Sequence, residues 1–140
     1  MNLCLLDASP VIAYLDDSDP FHDFVKPRLD RLGGRFVTTS AVVTEAMHFL
    51  RVDVRGLDLL VDFLESSGTK VVDCCQPNEL KRAVRLMQKY ADTPMDFADA
   101  SLVVLADAVH EYKICTLDRR GFSIFRTAAG KRFHLVMDEA

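Results

Sequence analysis

No stretch of the 140-residue chain approaches the ~18 consecutive apolar residues that cross a bilayer. The N-terminus also lacks the basic flank and small-residue cleavage site of a secretory signal, so a soluble, cytoplasmic protein is expected. Four cysteines, Cys4, Cys74, Cys75 and Cys115, make no CxxC pair and have no histidines at zinc-ligand spacing. Reduced, buried thiols are expected instead. Nor is there a basic excess: 17 Lys and Arg stand against 21 Asp and Glu, for a net charge of -4. That balance argues against coating nucleic acid through bulk charge, but it suits a site that concentrates carboxylates around cations. Repeats, low-complexity tracts and linkers are all missing. With 49% hydrophobic and 27% charged residues, the composition is that of one globular domain spanning 1–140.

What is present is an alternation of short apolar runs and helical patterns. Leu3 to Leu6 reads as a strand ending at Asp7, and Ser9-Pro10 as an N-cap with proline at the first helical position. Arg35 to Thr38 reads as a second strand, followed by a helix that Ser40 can cap. An amphipathic helix around Leu57 to Leu64 stops near Gly68 and leads into a β-branched run from Lys70 to Cys75. Leu80, Val84, Met87 and Tyr90 mark a further helix, and Ala98 to Val109 the most apolar one. Tyr112 to Leu117 and Phe133 to Met137 read as the last strands. Five strands alternating with helices predict a mostly parallel sheet covered on both faces, a three-layer α/β/α fold. Ligands in such folds gather at the carboxyl ends of the strands, where the strand order reverses. Phe21, Phe24, Leu29 and Leu32, with the Leu57 to Leu64 segment, are expected to be core.

Acidic residues stand where that expectation points. Asp7 and Asp118 each follow a strand. Thr93-Pro94-Met95-Asp96 reads as an N-cap, a first-turn proline and the reciprocal acid of a capping box. Asp99, one turn further and flanked by Ala98 and Ala100, has no such structural explanation in the sequence, and a carboxylate beside an apolar face is costly unless paired or metal-bound. Asp96 and Asp99, at i and i+3, share a helix face. Glu45 lies one turn into its helix, on the face of Val42 and Phe49. Carboxylates converging at one strand end repel unless hard cations neutralise them, and Mg²⁺ or Mn²⁺ takes such oxygen ligands.

These residues, in this order, resemble the PIN-domain nucleases, and within them the VapC-type toxins of prokaryotic toxin-antitoxin pairs. The resemblance spans nearly the whole chain and rests on Asp7 with Ser9, Glu45 after Thr39-Ser40, Pro94 to Ala100, and Thr116-Leu117-Asp118-Arg119-Arg120-Gly121-Phe122. It implies catalytic carboxylates at Asp7, Glu45, Asp99 and Asp118. Metal ligation falls to Asp7, Asp99 and Asp118, with Asp96 a further acidic position, and Ser9 and Thr116 are supporting polar residues. Many relatives carry an acidic or polar residue where this chain has Gly121. The resemblance further implies a PIN-like fold, RNA cleavage with Mg²⁺ or Mn²⁺, a homodimer, and inhibition by a small antitoxin protein.

Basic residues for an RNA strand are expected among Lys81, Arg85 and Lys89, which recur every four residues beside Arg82, and among Arg119, Arg120 and Arg126. Two alternatives stand beside the nuclease. A phosphohydrolase using Asp7 as nucleophile would want a second aspartate close after it or a lysine at a later strand end, and neither is found. A degenerate PIN-like binding module could keep the carboxylates without turnover.

Overall fold

In the computed structural model, residues 3–33 and 35–138 are described. The elements run β1 (Leu3–Leu6), α1 (Ala8–Leu15), α2 (His22–Leu32), β2 (Arg35–Thr39), α3 (Ser40–Leu50), α4 (Gly56–Ser66) and β3 (Lys70–Val72). They continue through α5 (Pro77–Lys89), α6 (Phe97–Val109), β4 (Lys113–Cys115), α7 (Arg119–Ile124) and β5 (His134–Leu135), closing with a 3-10 turn at Val136–Asp138.

All the strand pairs are parallel and the sheet order is β3-β2-β1-β4-β5. The chain therefore winds outward from β1 in one direction and then in the other, which opens a crevice at the carboxyl ends of β1 and β4. Helices cover both faces of the sheet in three layers, as expected. Leu5, Leu6, Val37, Ile114 and Cys115 are buried in the sheet, and α6 buries Ala100 through Ala106 almost completely. That helix is apolar on nearly every side because α5, α3 and β2 all pack on it. Polar atoms in this core are paired: Thr38 Oγ1 donates to the Leu6 carbonyl at 2.6 Å, and the Thr39 and Ser101 hydroxyls meet at 2.8 Å.

Several expectations need correction. The helix after β1 starts at Ala8, so Asp7 and not Ser9 is its N-cap, and Pro10 sits in the first turn, where no intrahelical N–H bond is lost. Thr39, not Ser40, caps α3 through Val42 N. The last three strands are shorter than the apolar runs suggested. After Val72 the Asp73 side chain accepts from Cys75 N and Cys74 takes a left-handed φ of 56°, turning the chain out of the sheet. Cys75 is exposed rather than buried, and all four thiols are free. Phe21 (54% exposed) and Val61 (51%) lie outside the core, whereas Leu29 and Leu60 lie in it.

Candidate active site

Each acidic residue is placed by a local rule. Asp7 follows β1 with extended backbone, is 5% exposed, and accepts from Ala8 N (2.8 Å, Oδ1) and from the Thr116 hydroxyl (2.7 Å, Oδ2). The pairing of β1 with β4, Leu6 opposite Cys115, brings Asp7 and Thr116 together at the switch point. Thr116 also accepts from Asp118 N at 3.0 Å, and Ser9 Oγ accepts from Leu117 N at 3.2 Å. Both supporting hydroxyls thus shape the loop after β4. Asp118 caps α7 by accepting from Gly121 N at 3.0 Å. A Cβ on Gly121 would collide with Asp118 Oδ2 and come within 2.9 Å of the Phe125 ring, which gives the glycine a steric reason.

At α6 the capping box is shifted from the expected position. Asp96, not Thr93, is the N-cap, and Asp99 is its reciprocal partner: Asp96 Oδ1 accepts from Asp99 N at 2.8 Å, and Asp99 Oδ2 accepts from Asp96 N at 3.2 Å. Asp99 therefore does have a structural role that the sequence did not reveal. Pro94 lies before the helix.

Electrostatics tie the acids together. Burial first, and then the charges of Asp7 and Asp96, pushes Asp99 up to about 8. Glu45 is pushed up to about 7 by burial, by the same two charges and by a hydrogen bond to Asp96. Burial raises Asp7 to about 6 against the lowering hydrogen bonds from Thr116 and Ala8, and Asp118 and Asp96 add to the rise. The donor set is all oxygen, which suits a hard divalent cation. Among the described residues, no three Asp, Glu, His or Cys side chains are arranged to hold one ion as they stand.

The basic residues divide. Arg82, Arg85 and Lys89 line a cavity of about 230 Å³ with Val103, Val104 and Asp107 of α6, and Lys81 is exposed outside that lining. Arg119 pairs with Asp138 at 2.7 Å, Arg120 is exposed, and Arg126 donates to the carbonyls of Ser123, Ile124 and Phe125 at the end of α7. Sequence reasoning passed over a second concavity, where α3 and the start of α6 present His48 and Phe97 beside Glu45 and Asp96. An aromatic residue between two aspartates at a helix start was the available signal.

Fold and site together define a parallel α/β domain with an acidic centre at its carboxyl edge. Residues 4–130 match the PIN domain. Over 134 residues, covering 94% of this chain and 98% of the relative, the sequence is 34% identical to Ribonuclease VapC26 of Mycobacterium tuberculosis. The crystal structure of VapC20 from Mycobacterium tuberculosis, a sarcin-ricin loop cleaving toxin, aligns with a TM-score of 0.74. It covers 84% of this chain and 91% of that one at 16% identity, a likeness of fold. The chain belongs to the PIN-domain family.

Proposed function

We propose that this protein is a metal-dependent endoribonuclease, the toxin of a toxin-antitoxin pair, acting through Asp7, Glu45, Asp99 and Asp118. The observation that carries the proposal is the meeting of Asp7 and Thr116 at the switch point, with Asp118 held on the same loop and burial raising Asp7, Glu45 and Asp99, in a chain alike over nearly its whole length to a named ribonuclease. Carboxylates held up by burial and by one another are those that a bound cation relieves. Asp7, Asp99 and Asp118, with Asp96 beside them, would hold Mg²⁺ or Mn²⁺. Such an ion supplies an activated water and neutralises charge on the phosphoryl oxygens.

This chain's own residues supply the rest. Thr116 fixes the Asp7 carboxylate and the Asp118 backbone at once, so the two strand-end acids keep one relative position. Ser9 holds Leu117 and with it the loop that carries Asp118. Glu45, raised by burial and then by the charges of Asp7 and Asp96 in the cation-free site, can exchange a proton at its carboxyl. Arg82, Arg85 and Lys89 offer the RNA backbone its countercharge, with Lys81 and Arg120 further out; Arg119 would first have to leave Asp138. An aspartyl-phosphate route is disfavoured, since Asp7-Ala8-Ser9 offers no second aspartate and Asp118, not a lysine, follows β4.

A homodimer and an inhibitory antitoxin complete the proposal, supported by the exposed apolar side chains Phe49, Val52, Val54 and Val61 around the α3–α4 turn. Action on cellular RNA assigns the protein to the cytoplasm; among the described residues no helix is long and apolar enough to cross a membrane. The test is cleavage of total RNA with Mg²⁺, Mn²⁺ or EDTA, together with growth on expression. Metal-dependent cleavage and growth arrest, both lost in Asp7→Ala, are expected. Equal effects from wild type and Asp7→Ala would refute the proposal.

A further inference from the structure

Beside the acidic centre lies an open groove of about 600 Å³, lined by Ser40, Thr44 and His48 of α3 and by Phe97 at the start of α6, with Glu45 and Asp96 in its wall. The groove is not a phosphate site. No lysine or arginine lines it, and an anion there would face two carboxylates without a countercharge. Its walls suit a flat, uncharged, hydrogen-bonding group instead. Phe97 packs one side on the core, which holds its ring in place, and remains partly open. His48 is exposed and is placed by an edge contact with Phe49 at 5.1 Å and by Arg51 at 3.5 Å from Nδ1. The Thr44 hydroxyl donates to the Ser40 carbonyl at 2.9 Å and keeps its acceptor capacity for a base N–H.

We infer that this groove receives the nucleobase next to the cleaved phosphodiester, stacked on Phe97 and bounded by His48. The inference rests on the ribonuclease reading and deepens it. Carboxylates act on a phosphodiester common to every RNA, so choice of target must come from a surface that meets bases, and single-stranded bases are recognised by stacking and edge contacts. A groove sharing Glu45 and Asp96 with the acidic centre is near enough to couple base choice to cleavage. The cationic cavity of Arg82, Arg85 and Lys89, lined by a later stretch of α6, would then track the backbone while this groove reads the base.

The experiment measures kcat/KM on a short oligoribonucleotide that the full-length protein cuts, with an abasic ribose placed in turn on either side of the cleaved bond. An abasic ribose at one flank is expected to lower kcat/KM about tenfold. Phe97→Leu should lose about the same on intact RNA and little more on the abasic substrate, while Phe97→Tyr keeps most of the wild-type rate. His48→Ala should shift the ranking of the four bases at that position. Indifference to both abasic substitutions, or an equal loss by Phe97→Leu on intact and abasic RNA, would overturn the groove assignment while leaving the ribonuclease reading intact. If wild type cuts no RNA, that reading fails and the groove is tested by amide NMR with the four ribonucleoside 5'-monophosphates. Shifts at residues 44–48 and 97–98 that vanish in Phe97→Leu uphold base binding in the groove apart from cleavage, and no shifts there overturn it.

Discussion

Replacing Asp99 by asparagine separates its two roles. Asparagine keeps an oxygen that can accept from Asp96 N, so the start of α6 is retained, and it removes the charge. Without a divalent cation the Asp99 carboxyl is held at about 8 rather than 3.8, by burial and then by Asp7 and Asp96. A raised folded-state pKa means that its stability contribution is fully present below the unfolded value and is lost as pH climbs through about 8. Ionised at pH 8, an unscreened Asp99 would cost roughly 5–6 kcal/mol, at about 1.4 kcal/mol per pH unit. The side chain is partly open to water, and screening reduces this to about 1–3 kcal/mol. For a chain of this size, that corresponds to a Tm gain of about 3–10 °C for Asp99→Asn at pH 8.5 in EDTA. Calorimetry across pH should show the gain shrinking towards zero near pH 4. Added Mn²⁺ should narrow it by stabilising the wild type alone, and cleavage should fall at least about a hundredfold. A loss of stability by the same amount at every pH would refute this account and leave Asp99 as a helix cap only.

Thr116→Val removes the donor to Asp7 and the acceptor for Asp118 N; urea unfolding should show a loss of about 1–3 kcal/mol, with Thr116→Ser close to wild type. Gly121→Ala forces a Cβ against Asp118 and Phe125, so about 1–3 kcal/mol of stability and most of the cleavage rate should go, as read by thermal melting and RNA assay. Changing Arg82, Arg85 and Lys89 together to alanine should lower the slope of log RNA affinity against log salt by about 2, measured by anisotropy; an unchanged slope would remove them from the RNA path.

The parts of the fold legible in the sequence are those whose burial is two-sided. Leu3 to Leu6 and Arg35 to Thr39 pair on both edges at the centre of the sheet, and α6 is covered by several neighbours, so their apolar runs are nearly unbroken. The outer strands were overread, because side-chain bonds such as Asp73 to Cys75 N end them where the apolar run continues. The starts of α1 and α6 are displaced for one reason: a proline predicts the first helical residue, and there it is not. Pro10 lies two residues past the true start of α1 and Pro94 lies three before that of α6, and in both places an extended aspartate does the capping. The acidic residues were visible from their types and their places after strands. The groove of His48 and Phe97 was not, since it is assembled from two helices far apart in sequence.

That displacement of caps also changes what the aspartates mean. Taken from sequence, capping and metal binding compete as explanations of Asp96 alone, Ser9 stands as the cap after β1, and Asp99 has no structural duty. In the fold all four accept a backbone N–H at a helix start, of α1, α6 or α7. The partial positive charge of those helix ends and the N–H bonds offset part of the repulsion among the carboxylates, so the cluster is held together before any cation arrives. A carboxylate has about four acceptor directions, and one N–H leaves most of them for other partners. The cap therefore fixes where each acid stands without using it up. Glu45 is the exception, one turn inside α3 with no capping bond, and the charges of Asp7 and Asp96 bear on it. Under the proposed mechanism it is the acid left to move a proton, the four capping aspartates being the ones that anchor the site.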